Sequence, residues 1–160
     1  MSKVKKSAII SSCGNYRYVL KRFWGEGKGY ITFVMLNPSK ADANADDATI
    51  RRCISYAKDW GFRGLYVVNL FAYRSTDPSN LLKVVDPVGP ENDSFIQLYT
   101  EHNKTIVAWG NFPTDKFRVR LEKVLGILRF KELYCLGITK MGMPKHPVRL
   151  SRTVKVIRYE

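Results

Sequence analysis

The stretch from Tyr30 to Cys53, YITFVMLNPSKADANADDATIRRC, constrains this chain more than any other. Tyr30 to Leu36 is an unbroken apolar, β-branched and aromatic run. It stops at Asn37-Pro38-Ser39, and after an alanine- and aspartate-rich loop a helical pattern runs from about Ile50 to Trp60. A run this short and apolar fits a strand buried on both faces of a parallel sheet, where alternation is lost because helices cover both sides. Open sheets of that kind hold ligands beyond the carboxyl ends of their strands. Asn37 stands at such an end, and Pro38 keeps it extended and stops the strand from running on into helix. The spacing predicts an amide aimed into a cleft. The alternative is an ordinary strand-ending turn, for which Asn, Pro and Ser are all common.

The same strand–loop–helix pattern recurs. Ile50, Cys53, Ile54, Ala57 and Trp60 fall at three- and four-residue spacing, with Asp46 or Asp47 placed to cap the helix start. The spacing of Asp42, Asp46 and Asp47 fits no defined calcium loop, so no metal is expected. Leu65 to Phe71 reads as a second buried strand with Asn69 near its end, followed by Ala72, Tyr73 and Arg74. After an irregular connection from Ser79 to Asn92, a helix is predicted from about Asp93 to Glu101. A third strand, Lys104 to Gly110, ends in Trp109-Gly110, and a basic amphipathic helix follows over Lys116 to Leu128. Lys131 to Gly137 is a short fourth strand, leading to a loop that carries His146-Pro-Val-Arg-Leu-Ser151. At the start, Ser7–Ser12 and Tyr16–Trp24 flank a Cys-Gly-Asn turn and predict an edge hairpin, and Thr153–Tyr159 adds a last edge strand.

Alternating strands and helices predict an α/β domain: a mostly parallel sheet of about four strands between helical layers, with an N-terminal β-hairpin. One domain over residues 1–160 is expected, with a basic start and hairpin over 1–29 and the core over 30–151. The loops after all four parallel strands then share one rim, so Asn37, Asn69, Trp109 and His146 can converge there. Lys plus Arg outnumber Asp plus Glu by 27 to 14, a net charge of +13 that favours a polyanionic partner such as nucleic acid over a merely soluble basic surface. The first residues, Met-Ser-Lys-Val-Lys-Lys, are not followed by the apolar core of a secretion signal, and no run is long enough to span a bilayer, so a cytoplasmic protein without a membrane partner is expected. Cys13, Cys53 and Cys135 are far apart and form no metal-ligand pair; Cys53 and Cys135 sit in apolar patterns as small core residues.

With these landmarks placed, the chain resembles the uracil-DNA glycosylase superfamily. Leu36-Asn-Pro-Ser39 looks like the first active-site motif of its mismatch-specific branch, and His146-Pro-Val-Arg-Leu-Ser151 resembles the second motif, His-Pro-Ser-Pro-Leu-Ser, with Val148 and Arg149 replacing Ser and Pro. Asn69 matches the asparagine ending the second strand, and Val107-Ala-Trp-Gly110 the segment after the third. More of the chain resembles a bacterial and phage family catalogued as domain of unknown function 1643, through Met35-Leu-Asn-Pro-Ser-Lys-Ala-Asp-Ala43, Asn69-Leu-Phe-Ala-Tyr-Arg74, Asp86-Pro-Val-Gly-Pro-Glu-Asn-Asp93 and Leu136-Gly-Ile-Thr-Lys140.

The glycosylase resemblance implies a three-layer α/β/α sandwich and a set of roles. Asn37 would orient a water toward the anomeric carbon, and His146 would donate a hydrogen bond to the base as negative charge develops on it. Asn69 would read a base edge, with Phe71 or Tyr73 stacking on the flipped base. Leu150 would wedge into the space left behind. Ser39 and Ser151 would hold flanking phosphates, with charge from Lys40, Lys145 and Arg149. No cofactor is implied, and DNA is the implied partner before RNA. The motif carries an amide where the most active branch has a carboxylate, so water activation would rest on Asn37. A non-catalytic nucleic-acid-binding module is the alternative. A nucleotide hydrolase or transferase is disfavoured because no phosphate-binding glycine motif is present. His102, at a helix end, reads as a surface residue.

Overall fold

Ile31 to Leu36 is buried throughout, and successive side chains divide between two cores. Ile31, Phe33 and Met35 pack with Ile50, Cys53, Tyr56 and Ala57, whereas Val34 and Leu36 pack with Ile96, Phe117, Leu121 and Val124. That division is the physical meaning of an apolar run without alternation. The structure, a computed structural model, describes residues 3–39 and 43–160.

The strands are β1 (Lys5–Ile10), β2 (Arg17–Phe23), β3 (Lys28–Met35), β4 (Phe62–Asn69), β5 (Lys104–Val107), β6 (Leu133–Cys135) and β7 (Ile157–Arg158). The helices are α1 (Ala48–Asp59), α2 (Asn92–Thr100) and α3 (Arg118–Ile127), with short 3-10 turns at Pro78–Lys83 and Asp115–Phe117. All strands join one sheet in the order β1-β2-β4-β3-β5-β6-β7. β3 runs parallel to β4 and β5, and β5 parallel to β6. α1 covers one face; α2 and α3 contribute to the core on the other.

Among the described residues the fold is mixed α/β with a seven-stranded sheet, in which β4, β3, β5 and β6 run parallel. The remaining strands lie at the edges. The hairpin β1–β2 docks antiparallel on β4 through Leu20↔Val67 and Phe23↔Gly64, and β7 closes the far edge antiparallel to β6. The connection after Ser79 is less irregular than expected, since Pro78 begins a 3-10 turn with Asp77 accepting from Ser79 N at 2.9 Å. The basic helix begins as a 3-10 turn and becomes α-helical only from Arg118. No helix among the described residues is long and apolar enough to cross a membrane. Cys53 and Cys135 are buried and unbridged, and Cys13 is exposed.

Candidate functional site

Backbone hydrogen bonds continue past the strand ends and lace the loops of one rim together. Beyond β4, Leu70 N and Phe71 N donate to Met35 O (2.9 Å) and Leu36 O (3.0 Å), and Ser75 N donates to Pro38 O (2.9 Å). Beyond β5, Ala108 N reaches Val34 O (2.8 Å), and Gly110 N reaches Pro144 O (2.9 Å) just ahead of His146. Gly110 has φ +70°, and a Cβ there would lie 3.3 Å from the His146 Cβ, so glycine permits this close approach. Between these loops lies a pocket of about 400 Å³ lined by Asn37, Ser39, Asp47, Asn69, Trp109 and His146, with Arg17 and Ser75 among its other walls.

Asn37 donates its amide N–H groups to Ser75 O at 2.8 Å and Pro38 O at 3.1 Å. Its donors are therefore committed, and what it can offer a ligand is its carbonyl oxygen. Asn69 is the opposite case. Its side chain is 2% exposed, and its Nδ2 has no acceptor among the described residues. Trp109, 1% exposed, likewise has an indole N–H without an acceptor among them. A buried donor left unmade costs about 1–3 kcal/mol, and both residues line this pocket. The Asn69 backbone is held from behind, where Asn92 Nδ2 donates to Asn69 O at 2.9 Å and Leu70 O at 3.2 Å.

His146 supplies a further donor. Val148 N donates to its Nδ1 at 3.2 Å, which places the ring proton of the neutral imidazole on Nε2. Burial pushes the His146 pKa below its ordinary value, and the nearby Asp47 charge offsets this only in part. The pocket thus holds a neutral, pre-oriented imidazole.

Two adjacent aspartates have separate tasks. Asp46 faces the hairpin, accepting from Arg22 Nε at 2.8 Å and pairing with Lys6 at 2.9 Å. Burial works against its charge, but these partners outweigh it and hold its pKa below the usual carboxylate value. Asp47 caps α1, its Oδ1 accepting from Ile50 N at 2.9 Å, while Ser39 Oγ donates to its Oδ2 at 3.3 Å. Its carboxylate lines the pocket. Arg17, 4% exposed, stands there too. Burial lowers its pKa to about 10, against the favourable charge of Asp47, so it remains a cation at neutral pH.

Of the residues singled out from sequence, Asn37, Ser39, Asn69, Trp109 and His146 meet at this pocket. Those of the others that are among the described residues lie elsewhere. Phe71 is buried on the α3 side, 4.8 Å from the Phe117 ring, and Tyr73 sits edge-on to Tyr16 at 6.0 Å. The Lys145 stem covers Gly137, and Arg149 is exposed with φ +68°. Leu150 packs against the α1-side core. Ser151 pairs its hydroxyl with Thr153 at 2.8 Å and accepts from Tyr56 at its carbonyl. Lys40 and Asp42 lie outside the described residues. No cluster of three or more metal-ligating side chains occurs among those described. Arg17 and Asp47 were not anticipated as pocket residues; Asp47 carried only a capping signal, and Arg17 none.

Searches of the curated proteins and of the solved structures each return no match. The family described as "Protein of unknown function (DUF1643)" matches residues 17–148, which include β2 through the loop carrying His146. The chain belongs to that family.

Proposed function

We propose that this protein acts on nucleic acid and hydrolyses the N-glycosidic bond of an unusual or mismatched base in DNA, with the three-layer architecture and chemistry of a uracil-DNA glycosylase. One observation carries the reading: Asn37, Asn69, Trp109 and His146, from four separate strand ends and the loops beyond them, converge on one pocket, and Asn69 and Trp109 have buried donors that meet no acceptor among the described residues. A flipped base presents ring carbonyls as acceptors. Asn69 Nδ2 binds one such edge, and the neutral His146 donates from Nε2 to an oxygen on which charge grows as the bond breaks.

The water is held by the Asn37 carbonyl oxygen, the group its backbone contacts leave uncommitted. An amide cannot take the proton, but the Asp47 carboxylate shares the pocket and can. Water oxygen bonds to the anomeric carbon, the carbon–nitrogen bond breaks with its electron pair leaving on the base, and the water proton passes to Asp47. Net charge of +13 supports attraction to the phosphate backbone.

The test is alkali-revealed strand scission on labelled single- and double-stranded DNA carrying uracil, G·U or G·T mismatches, or hypermodified pyrimidines. Scission that His146→Ala abolishes supports base excision. Salt-sensitive binding without scission of any substrate would instead favour a binding module on the same fold.

A further inference from the structure

Behind the strand that carries Asn69, on the α3 side, lies a second cleft of about 480 Å³ with a different character. Phe71, Leu81, Val88 and Phe117 make it apolar, and Leu82 (47% exposed) and Val119 (77% exposed) carry the apolar surface outward over its rim. Arg120 forms part of its wall and is 7% exposed. Its Nε donates to Leu70 O at 2.6 Å and its Nη1 lies 2.7 Å from Asp93 Oδ1, but its Nη2 has no acceptor among the described residues. Lys116 and Lys123 stand on the same wall. Asp93 is the one carboxylate lining this cleft among the described residues, and Arg120 and Lys123 already share it, Lys123 at 3.7 Å. The lining therefore carries an excess of positive charge beside an apolar floor.

We propose that this cleft docks the carboxyl terminus of a partner protein, taking a bulky apolar last residue on its floor and the α-carboxylate against Arg120, Lys116 and Lys123. Only the last residue of a chain carries an apolar side chain and an anion on the same carbon; an internal residue offers a neutral amide. A carboxylate matches the net positive charge that Arg120, Lys116 and Lys123 give the wall. A small-molecule site encloses its ligand, whereas Leu82 and Val119 leave apolar surface outside the cleft on which preceding residues of a peptide lie. The proposal stands independently of base excision.

The probe is a fluorescently labelled octapeptide with acidic and serine residues and a terminal phenylalanine, followed by anisotropy at low salt with the full chain. Saturable binding is expected. Amidating the terminus or replacing the last residue by alanine should each weaken it on the order of tenfold or more, the scale of a lost charge-assisted contact. Lys116→Glu combined with Lys123→Glu should do the same; both side chains are exposed, and a melting curve checks the fold because Lys123 lies 3.7 Å from Asp93. Absence of saturable binding overturns the proposal, as does an amide that binds as tightly as the acid. N-acetylphenylalanine binding as tightly as the octapeptide would also overturn it, by making the cleft a small-carboxylate site.

Discussion

The segments 37–47 and 146–151 each combine a residue in the pocket with residues that merely look suited to it, and they differ in how much of each reaches the site. In the first, Asn37, Ser39 and Asp47 all line the pocket, with Asn37 donating to the Ser75 carbonyl and Ser39 to Asp47. In the second, His146 lines it, while Leu150 is absorbed into the core beside α1 and Ser151 into a turn with Thr153. A run of neighbouring residues shares a site only where backbone geometry keeps it at one strand end. Arg149, in the left-handed region at φ +68°, marks where the second segment turns away.

The largest effect that would break this contrast is at Asp47. Asp47→Asn preserves the helix cap, because asparagine caps as well as aspartate, but removes the proposed proton acceptor. On the proposed reaction the rate of base release falls by about 10²–10⁴, while the buried Arg17 loses a favourable nearby charge; single-turnover kinetics beside a melting curve read both. An Asp47→Asn protein as fast as the parent would reduce Asp47 to a cap.

The neighbouring substitution should behave in reverse. Asp46→Asn leaves Arg22, fully buried, without its carboxylate, and unpairing a buried charge costs about 3 kcal/mol or more. Urea unfolding should show this loss, with base release per folded molecule intact. The Asp46 contribution is also acid-labile. Its folded pKa is depressed, so the stabilisation is full above the unfolded carboxylate pKa and disappears as pH falls through the folded value.

For the second segment, Tyr56→Phe removes the 2.8 Å hydrogen bond from the buried tyrosine to Ser151 O. A loss of about 1 kcal/mol is expected, again by urea unfolding, with base release unaffected. A fall in release would mean that residues 149–151 touch the substrate. The smallest effect on stability is at His146, whose folded pKa lies below its unfolded value. The unfolded chain then binds the proton more readily, so stability rises with pH between the folded pKa and about 6.5. His146→Gln should flatten that part of the stability–pH curve, and an unchanged curve would contradict a buried neutral imidazole.

Sequence pattern was a good guide to β3, α1 and β4, because each buries a face whose period can be counted. It was also sufficient to bring Asn37, Asn69, Trp109 and His146 to one rim, since parallel strands with right-handed crossovers align their carboxyl ends. It was blind to Arg17. That residue reaches the pocket because β2 lies beside β4, with Arg17 N bonded to Ala72 O at 3.0 Å, and strand order across a gap of about fifty residues has no local signature. Nor does any period tell Asp46 from Asp47; which one meets the hairpin depends on where Arg22 comes to rest. Phe71, which the glycosylase resemblance implied as a stacking residue, lies beyond the regular end of β4 at Asn69 and packs against Phe117 instead.

The placement of β2 against β4 also dictates an order of assembly. Leu20 finds Val67 as its cross-strand partner, and β3 separates the two in the chain while lying on the other side of β4. A chain emerging from the ribosome can zip the β1–β2 hairpin locally, but that hairpin has no sheet to join until residue 69 is made. Until then its inner face is exposed, guarded by Lys3, Lys5, Lys6 and Lys21, whose like charges repel a second nascent chain.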